Sequence, residues 1–289
     1  MREHQDVRRN MNRYLNLNFY RTEGFIDRLD AVIFREIITE QVKNDVKGSL
    51  VEIGVHYGRS FFLLALGRTH SEKCLAIDLF EDDALHTNRE GIGRFGGFRK
   101  NCHRYQYALS EDEILKGSSL TLSADEILER AGEVRFFSID GGHTYEHVMN
   151  DLRLAERVLT RQGVICMDDM FSALWPEVAA ATFDWMREPS QRFVPFLATK
   201  DKLYVCDSAY APVYMSMVRE RKELSARAFR SISLFSHQVL VLLPSVTSRA
   251  ADRMIGAMFS ASRRVAAQFS RTDQGGSAAP FMQPLITKK

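Results

Sequence analysis

The sequence VEIGVHYGRS, residues 51–60, reads as a buried strand that runs into a glycine turn and then into a helix. The valine and isoleucine residues at alternate positions are typical of a strand. Gly54 and Gly58 allow the backbone to turn tightly and to approach a ligand closely. Glu52 lies near the carboxyl end of the strand, which is where open α/β sheets bind their ligands. The stretch therefore predicts a site for a nucleoside-type cofactor.

The composition is that of an ordinary globular protein, with 289 residues, of which 45% are hydrophobic and 26% are charged. The formal net charge of +2 gives no reason to expect nucleic acid as a partner. The four cysteines form no CxxC pair, so we expect free thiols in a reducing compartment. The N-terminus lacks the apolar segment of a signal peptide, and no apolar run approaches the ~18 residues of a membrane span. We therefore expect a cytoplasmic protein.

Strand and helix patterns alternate through residues 47–207. The strand patterns after the opening one are CLAIDLF at 74–80, VRFFSID at 134–140 and VICM at 164–167, and amphipathic helical patterns separate them. Residues 192–207 read as two strands joined by a polar turn. This alternation predicts a mostly parallel sheet with helices on both faces, ended by an antiparallel hairpin.

The two ends of the chain have different patterns. Residues 1–46 predict a polar arm followed by an amphipathic helix. Residues 208–271 are rich in arginine and predict a helical extension, with two helices broken at Pro244, and residues 272–289 predict a disordered tail. The helices would pack on the domain or on a second copy of the chain. The alternative is a surface for a peripheral membrane contact or for an acidic partner.

Acidic residues end four of the predicted strands, namely Glu52, Asp78, Asp140 and the pair Asp168 and Asp169. One such residue is as readily a helix cap, but four at one edge of a sheet indicate a site. Two adjacent carboxylates repel each other unless a cation or a proton relieves them. By contrast, GIGRFG at 91–96 matches a dinucleotide motif without the strand and helix that the motif needs, and we expect a loop there.

Two motifs carry a family resemblance. The opening stretch, followed by LAID at 75–78, resembles the cofactor-binding half of class I S-adenosylmethionine-dependent methyltransferases. FFSIDGGHTYEHVMNDL at 136–152, followed by LTRQGVICMDD at 159–169, is more specific. It resembles the metal-dependent O-methyltransferases that modify sugars of macrolides and aminocoumarins, and related bacterial proteins labelled cephalosporin hydroxylases. The resemblance covers about residues 48–207 and implies a Rossmann-like methyltransferase fold with a seven-stranded sheet.

The resemblance also implies roles for individual residues. Those implied for binding S-adenosylmethionine are Glu52, Gly54, Gly58, Ser60, Asp78, Ser118 and Ser119. Glu52, Gly54 and Gly58 would hold its methionine part, Asp78 its ribose and the two serines its adenine. Those implied for a divalent cation such as Mg²⁺ are Asp140, Asp168 and Asp169, whose hard oxygen ligands suit this ion. Those implied for catalysis are Asp140 and His143, with His143 as the general base.

The predicted function is S-adenosylmethionine-dependent, divalent-metal-assisted O-methylation of a hydroxyl on a sugar, a glycan or a glycosylated small molecule. Coordination to a cation lowers the pKa of a hydroxyl, and a histidine can accept its proton near neutral pH. A structural alternative for His143 is a cap at the start of the next helix. The functional alternative is a non-catalytic scaffold on the same fold that docks a glycan-assembly complex or a membrane through its C-terminal helices. The sequence leaves homo-oligomer formation and the identity of the acceptor open.

Overall fold

The computed structural model describes residues 2–80, 95–105, 107, 109–189, 191–225 and 229–244, and the isolated positions 250, 254 and 257. The strands in these ranges are β1 (Ser49–Ile53), β2 (Cys74–Asp78), β3 (Ile114–Lys116), β4 (Val134–Ile139), β5 (Leu159–Met167), β6 (Phe193–Ala198), β7 (Leu203–Asp207), β8 (Phe229–Leu234) and β9 (His237–Leu242). The helices are α1 (Arg2–Leu17), α2 (Arg28–Lys43), α3 (Phe61–Gly67), α4 (Phe95–Arg104), α5 (Ala124–Ala131), α6 (Tyr145–Val158), α7 (Pro176–Met186), α8 (Ala211–Glu220) and α9 (Lys222–Ser225).

The strands form one sheet in the order β3-β2-β1-β4-β5-β7-β6-β9-β8. Strands β1 to β5 are parallel to one another, and β7 lies antiparallel between β5 and β6. The carboxyl ends of β1, β2, β4 and β5 therefore meet at one edge. This arrangement confirms the predicted Rossmann-like α/β class, with its mostly parallel sheet and antiparallel hairpin.

Side chains alternate between the two faces of the sheet, and each face has its own apolar core. On one face Leu50 and Phe136 join the core that α1, α2 and α3 cover. On the other face Val51 and Phe137 join a core that contains residues of α5, α6 and α7, including the fully buried Trp185. The sheet is thus buried on both sides, as parallel sheets almost always are.

The N-terminal segment is a helix where the sequence predicted a polar arm. Val7, Met11, Tyr14 and Leu15 recur at helical spacing and are buried against the core. The helix α1 packs on α2 and α3. The prediction was wrong because the apolar stripe is narrow and the charged residues that surround it dominate the composition.

The C-terminal extension differs from its prediction in a similar way. After the short helices α8 and α9, residues 229–242 form a β-hairpin, whereas the sequence favoured a helix up to Pro244. The strand β9 pairs in parallel with β6, with Leu197 opposite Leu240. Within the described residues the sheet therefore has nine strands rather than seven, and the β6–β7 hairpin lies inside it.

Three predictions fall largely outside the described residues. These are the glycine-rich loop, of which 81–94 are not described, the second C-terminal helix after Pro244, and the tail from residue 272. Among the helices that are described, none combines the length and the apolar composition that crossing a membrane would require.

A buried ion pair connects the sheet to the helices on one face. Arg135 on β4 is fully buried and donates hydrogen bonds to both carboxylate oxygens of Glu72, at 2.9 and 2.8 Å. It also donates to the side chain of Gln41 and to the backbone oxygen of Gly67, each at 2.9 Å. Burial alone would raise the pKa of Glu72, but the hydrogen bonds and charge of Arg135 outweigh it and lower that pKa.

We predict that Glu72→Gln lowers the free energy of unfolding by about 3–5 kcal/mol, because Arg135 is then left as an uncompensated buried charge. Urea denaturation at neutral pH measures this loss. The matched control is Asp6→Asn, which removes an exposed pair with Arg9 in which the side chains are 55% and 75% exposed. That change should cost less than about 1 kcal/mol. Equal losses in the two variants would contradict the structural role of the buried pair.

Candidate active site

A cavity of about 580 Å³ opens at the carboxyl edge of the sheet. Most of the site residues that the sequence predicted line it, namely Gly54, Asp78, Ser118, Ser119, Asp140, His143, Asp168 and Asp169. Glu52, Gly58 and Ser60 are not among the lining residues. The structure thus brings together residues at the carboxyl ends of five different strands, and it leaves part of the opening motif behind the cavity.

The turn after β1 approaches β4 so closely that only glycine fits at its start. Gly54 has a φ of +87°, and a Cβ at this position would lie 1.7 Å from the backbone oxygen of Asp140. The amide of Gly54 continues the sheet by donating to the oxygen of Ile77 at 2.9 Å. The glycine therefore sets the distance between the ends of β1 and β4, where the cavity begins.

Asp78 connects the turn after β1 to the turn after β2. One of its carboxylate oxygens accepts a hydrogen bond from the amide of His56 at 2.8 Å, and the other accepts one from the amide of Phe80 at 2.6 Å. His56 lines the cavity, and burial, followed by the charge of Arg59, lowers its pKa to about 4. Its imidazole is therefore neutral near pH 7.

Residues outside the sheet make hydrogen bonds with the turn after β1. The hydroxyl of Tyr14 donates to the backbone oxygen of Arg59 at 3.0 Å, and the Arg59 side chain donates to the backbone oxygen of Thr22 at 2.8 Å. From α4, the amide of Asn101 donates to the oxygen of Tyr57 at 3.0 Å. Sequence analysis assigned no role to these residues, because all of these contacts are distant in the sequence.

A buried carboxyl group lies next to the serines that were predicted to contact adenine. Asp151 on α6 is fully buried, and the backbone oxygen of Ser119 accepts a hydrogen bond from the neighbouring Asn150 at 2.9 Å. Burial raises the pKa of Asp151 to about 7, although hydrogen bonds from Ser119 and Asn150 lower it in part. Sequence analysis missed Asp151. An acidic residue between Asn150 and the apolar Leu152, on a helix that packs on the sheet, could have indicated a buried carboxyl group.

The other end of the cavity contains His143. Its Nε2 lies 3.1 Å from a carboxylate oxygen of Asp169, and its ring stacks on Trp175 with 4.5 Å between the ring centres. Ligand atoms of Asp140, His143 and Asp169 all lie within 4.8 Å of one another. The side chain of Thr144, not that of His143, caps α6. This excludes the cap as the reason for a histidine at this position.

Asp168 is held differently from the other two acidic residues at this end. One of its carboxylate oxygens accepts a hydrogen bond from the amide of Asp169 at 2.8 Å, and the other pairs with the ammonium of Lys202. Lys202 is only 3% exposed. Burial raises the pKa of Asp140, and the charge of Asp168 raises it further. Lys202 was not predicted, since nothing in the local sequence of its polar turn indicates burial.

Glu52 lies on the far side of β1 from the cavity. Its side chain is fully buried, and burial raises its pKa to about 8, against smaller opposing effects of Ser60, Lys202 and Ser138. Neither of its carboxyl oxygens meets a partner at hydrogen-bond geometry among the described residues. The carboxyl group therefore retains its proton near neutral pH.

The comparisons with known proteins bear on the fold. Residues 51–170 match a family model described as a methyltransferase domain. The O-methyltransferase NovP shares the fold, with 15% identity, a TM-score of 0.50, and coverage of 60% of this chain and 77% of NovP. CalS11, a TDP-rhamnose 3'-O-methyltransferase of calicheamicin biosynthesis, gives 15% identity, a TM-score of 0.42, and coverage of 70% and 93%. A search of curated proteins found no match.

An O-methyltransferase from Bacillus cereus in complex with SAH also matches, with 16% identity, a TM-score of 0.44, and coverage of 72% of this chain and 91% of that one. The domain match and the strand order define a class I methyltransferase domain, as the resemblance predicted. Residues 51–170 accordingly form a methyltransferase domain.

We predict that Glu52→Gln stabilises the ligand-free protein increasingly as the pH rises. The folded-state pKa of Glu52 lies above its unfolded value, so folding favours the protonated acid and the natural chain loses stability as the pH rises between the two values. Because glutamine mimics the protonated acid, the advantage of the variant should grow by roughly 3 kcal/mol between about pH 5 and about pH 8. Urea denaturation across this range measures it, and a difference independent of pH would contradict the burial of an unpaired carboxyl group.

Proposed function

We propose that this protein transfers a methyl group from S-adenosylmethionine to a hydroxyl of a sugar or another glycosylated or hydroxylated small molecule, with help from a divalent cation. One observation carries the proposal. A single cavity is lined by Gly54 and Asp78 and also by the group of Asp140, His143 and Asp169. A methyl donor and a hydroxyl acceptor could therefore meet within it.

The cofactor end is suited to the nucleoside of S-adenosylmethionine. The carboxylate of Asp78 lies at the carboxyl end of β2, the place from which an acidic residue accepts hydrogen bonds from ribose hydroxyls in dinucleotide folds. Ser118 and Ser119 line the cavity beside it and would border the adenine. Gly54 provides a bare backbone surface for the methionine part. Glu52, Gly58 and Ser60 would act behind this surface by shaping the turn.

The reacting end combines a proton acceptor with carboxylates. In the proposal the Nε2 of His143 accepts the proton of the acceptor hydroxyl, and Asp169, 3.1 Å away, stabilises the imidazolium that results. Stacking on Trp175 fixes the plane of the ring. When bound, a divalent cation would lower the pKa of the acceptor hydroxyl, and S-adenosylmethionine would supply the electrophilic methyl group. Asp140 and Asp169 are the carboxylates best placed to hold the ion, with Asp168 next to them.

The surroundings of the cavity support a small organic acceptor. Phe25 lines it with 74% of its surface exposed, and Trp175 lines it near His143. Flat apolar side chains of this kind pack against the faces of sugar or aromatic rings. NovP, which shares the fold, is itself an O-methyltransferase. The scaffold alternative has less support, because residues 229–242 form strands instead of the helices through which it would dock.

We predict that Asp78→Asn weakens the binding of S-adenosylmethionine by roughly 10- to 100-fold, the effect of losing a charged hydrogen-bond acceptor. Calorimetry should show binding to the natural chain at about 10⁻⁴ M or tighter. The control is Asp201→Asn, which alters another carboxylate of the cavity lining and should leave the affinity unchanged. Absence of binding to the natural chain at millimolar concentration would overturn the cofactor site.

We predict that His143→Ala lowers the rate of methyl transfer by about 10²–10⁴-fold, as expected for a general base. His147→Ala is the control in the same cavity. The ring of His147 pairs with Thr144 at 2.7 Å, and its loss should change the rate by less than about threefold.

The assay measures the S-adenosylhomocysteine (SAH) that forms when the methyl group is transferred, with two panels of acceptors. One panel contains nucleotide-linked and free deoxysugars, and the other contains catechols. Turnover of the catechols alone would overturn the sugar assignment. An equal loss of rate in both histidine variants would exclude His143 as the base.

A further inference from the structure

The buried ammonium of Lys202 has no part in the proposed reaction, and it lies beside the carboxylates that would hold a cation. Lys202 lies in the turn between β6 and β7, and its backbone amide donates to the Thr199 hydroxyl at 3.1 Å. In the antiparallel pairing of β5 and β7, Leu203 lies opposite Met167. This pairing brings the neighbouring Lys202 and Asp168 together, although they are 34 positions apart in the sequence.

Both carboxylate oxygens of Asp168 are engaged within the protein. The amide of Asp169 donates to one of them and the ammonium of Lys202 pairs with the other. The compact group of potential ligand atoms is formed by Asp140, His143 and Asp169 and does not include Asp168. A divalent cation at Asp168 would compete with the ammonium of Lys202 for the charge of this carboxylate, and displacing that ammonium would leave it buried without a partner.

We propose that Lys202 is a built-in cation that removes Asp168 from the metal-ligand set, so that Asp140 and Asp169 are the carboxylates that hold a divalent ion and the ion is bound weakly. The inference rests on the metal-assisted function proposed above. Its chemical consequence is a dependence on the acceptor. Mg²⁺ requires near-octahedral oxygen coordination, so water and the acceptor must supply the ligands that Asp168 does not. Lys202 is thus a positioning residue that acts through Asp168.

The experiment measures binding of Mn²⁺ by electron paramagnetic resonance of the free ion, with the full chain and without methyl transfer. Lys202→Met frees the carboxylate of Asp168 and removes a nearby positive charge, and it should tighten binding by about tenfold or more. Asp169→Asn removes a ligand and should weaken binding by about tenfold or more. Lys202→Arg keeps the charge and should bind Mn²⁺ as the natural chain does.

The decisive variant is the double change Lys202→Met with Asp168→Asn. It removes the ion pair as a unit and leaves no unpaired buried charge, so it also remains informative if Lys202→Met alone does not fold. We expect its affinity to lie within about threefold of that of the natural chain, because the pair supplies no metal ligand.

Two results would overturn the inference. One is a double variant that loses Mn²⁺ as Asp169→Asn does, which would make Asp168 a ligand in the natural chain while leaving metal assistance intact. The other is no binding to any variant, Lys202→Met included, which would end the metal part of the proposed function as well. Calorimetry with S-adenosylmethionine separates both results from a failure of the cofactor site.

Discussion

Negative charge is concentrated at the carboxyl edge of the sheet, and the structure depends on how that charge is balanced. Parallel strands bring Asp78, Asp140 and the Asp168–Asp169 pair to one edge, and Gly54 lets the ends of β1 and β4 approach closely. Like charges in such a space raise one another's pKa values unless cations or hydrogen bonds compensate. Three of these carboxylates have partners of different kinds: backbone amides at Asp78, an ammonium at Asp168 and an imidazole at Asp169.

Carboxyl groups are also buried behind this edge of the sheet, without an ion-pair partner of their own among the described residues. Burial raises the pKa of Asp30 on α2 to about 7 and that of Glu52 to about 8. Tyr204 donates a hydrogen bond to Asp30 at 2.8 Å, and the positive charge of Lys202 acts on both acids. The positive charge of Lys202 therefore acts on carboxyl groups on both sides of the sheet edge. The turn between β6 and β7, which carries Lys202, is for this reason important for the charge balance of this region.

Much of the fold and of the site follows from local patterns in the sequence. The positions of Asp78, Asp140 and Asp169 were predictable because a strand's carboxyl end can be read from its apolar run. The position of Glu52 relative to the cavity was also readable in principle. Strand residues alternate, so Glu52 shares a face with Leu50, whereas Ile53 faces the cavity. The family resemblance placed Glu52 at the cofactor, and that assignment stays a prediction.

The remaining features depend on contacts between distant parts of the chain. The partner of Lys202 is supplied by strand pairing, and the role of Tyr14 requires a turn 45 residues away. The segment 229–242 shows a different difficulty, since short apolar runs fit a helix or a strand equally well until a partner strand decides. That partner is β6, whose residues are buried throughout and which accepts β9 along its outer side.

This last pairing determines where the sheet ends. Without β9, the strand FVPFLA of β6 would present an apolar row with unpaired backbone amides, which is a template for association with other chains. With the hairpin in place, the outermost strand is β8, which carries the exposed polar residues Arg230, Ser231 and Ser233. The β8–β9 hairpin therefore covers an edge of β6 that would otherwise be open to pairing with other chains. A chain shortened to end at Asp207 would lose this protection even if every residue of the cavity were kept.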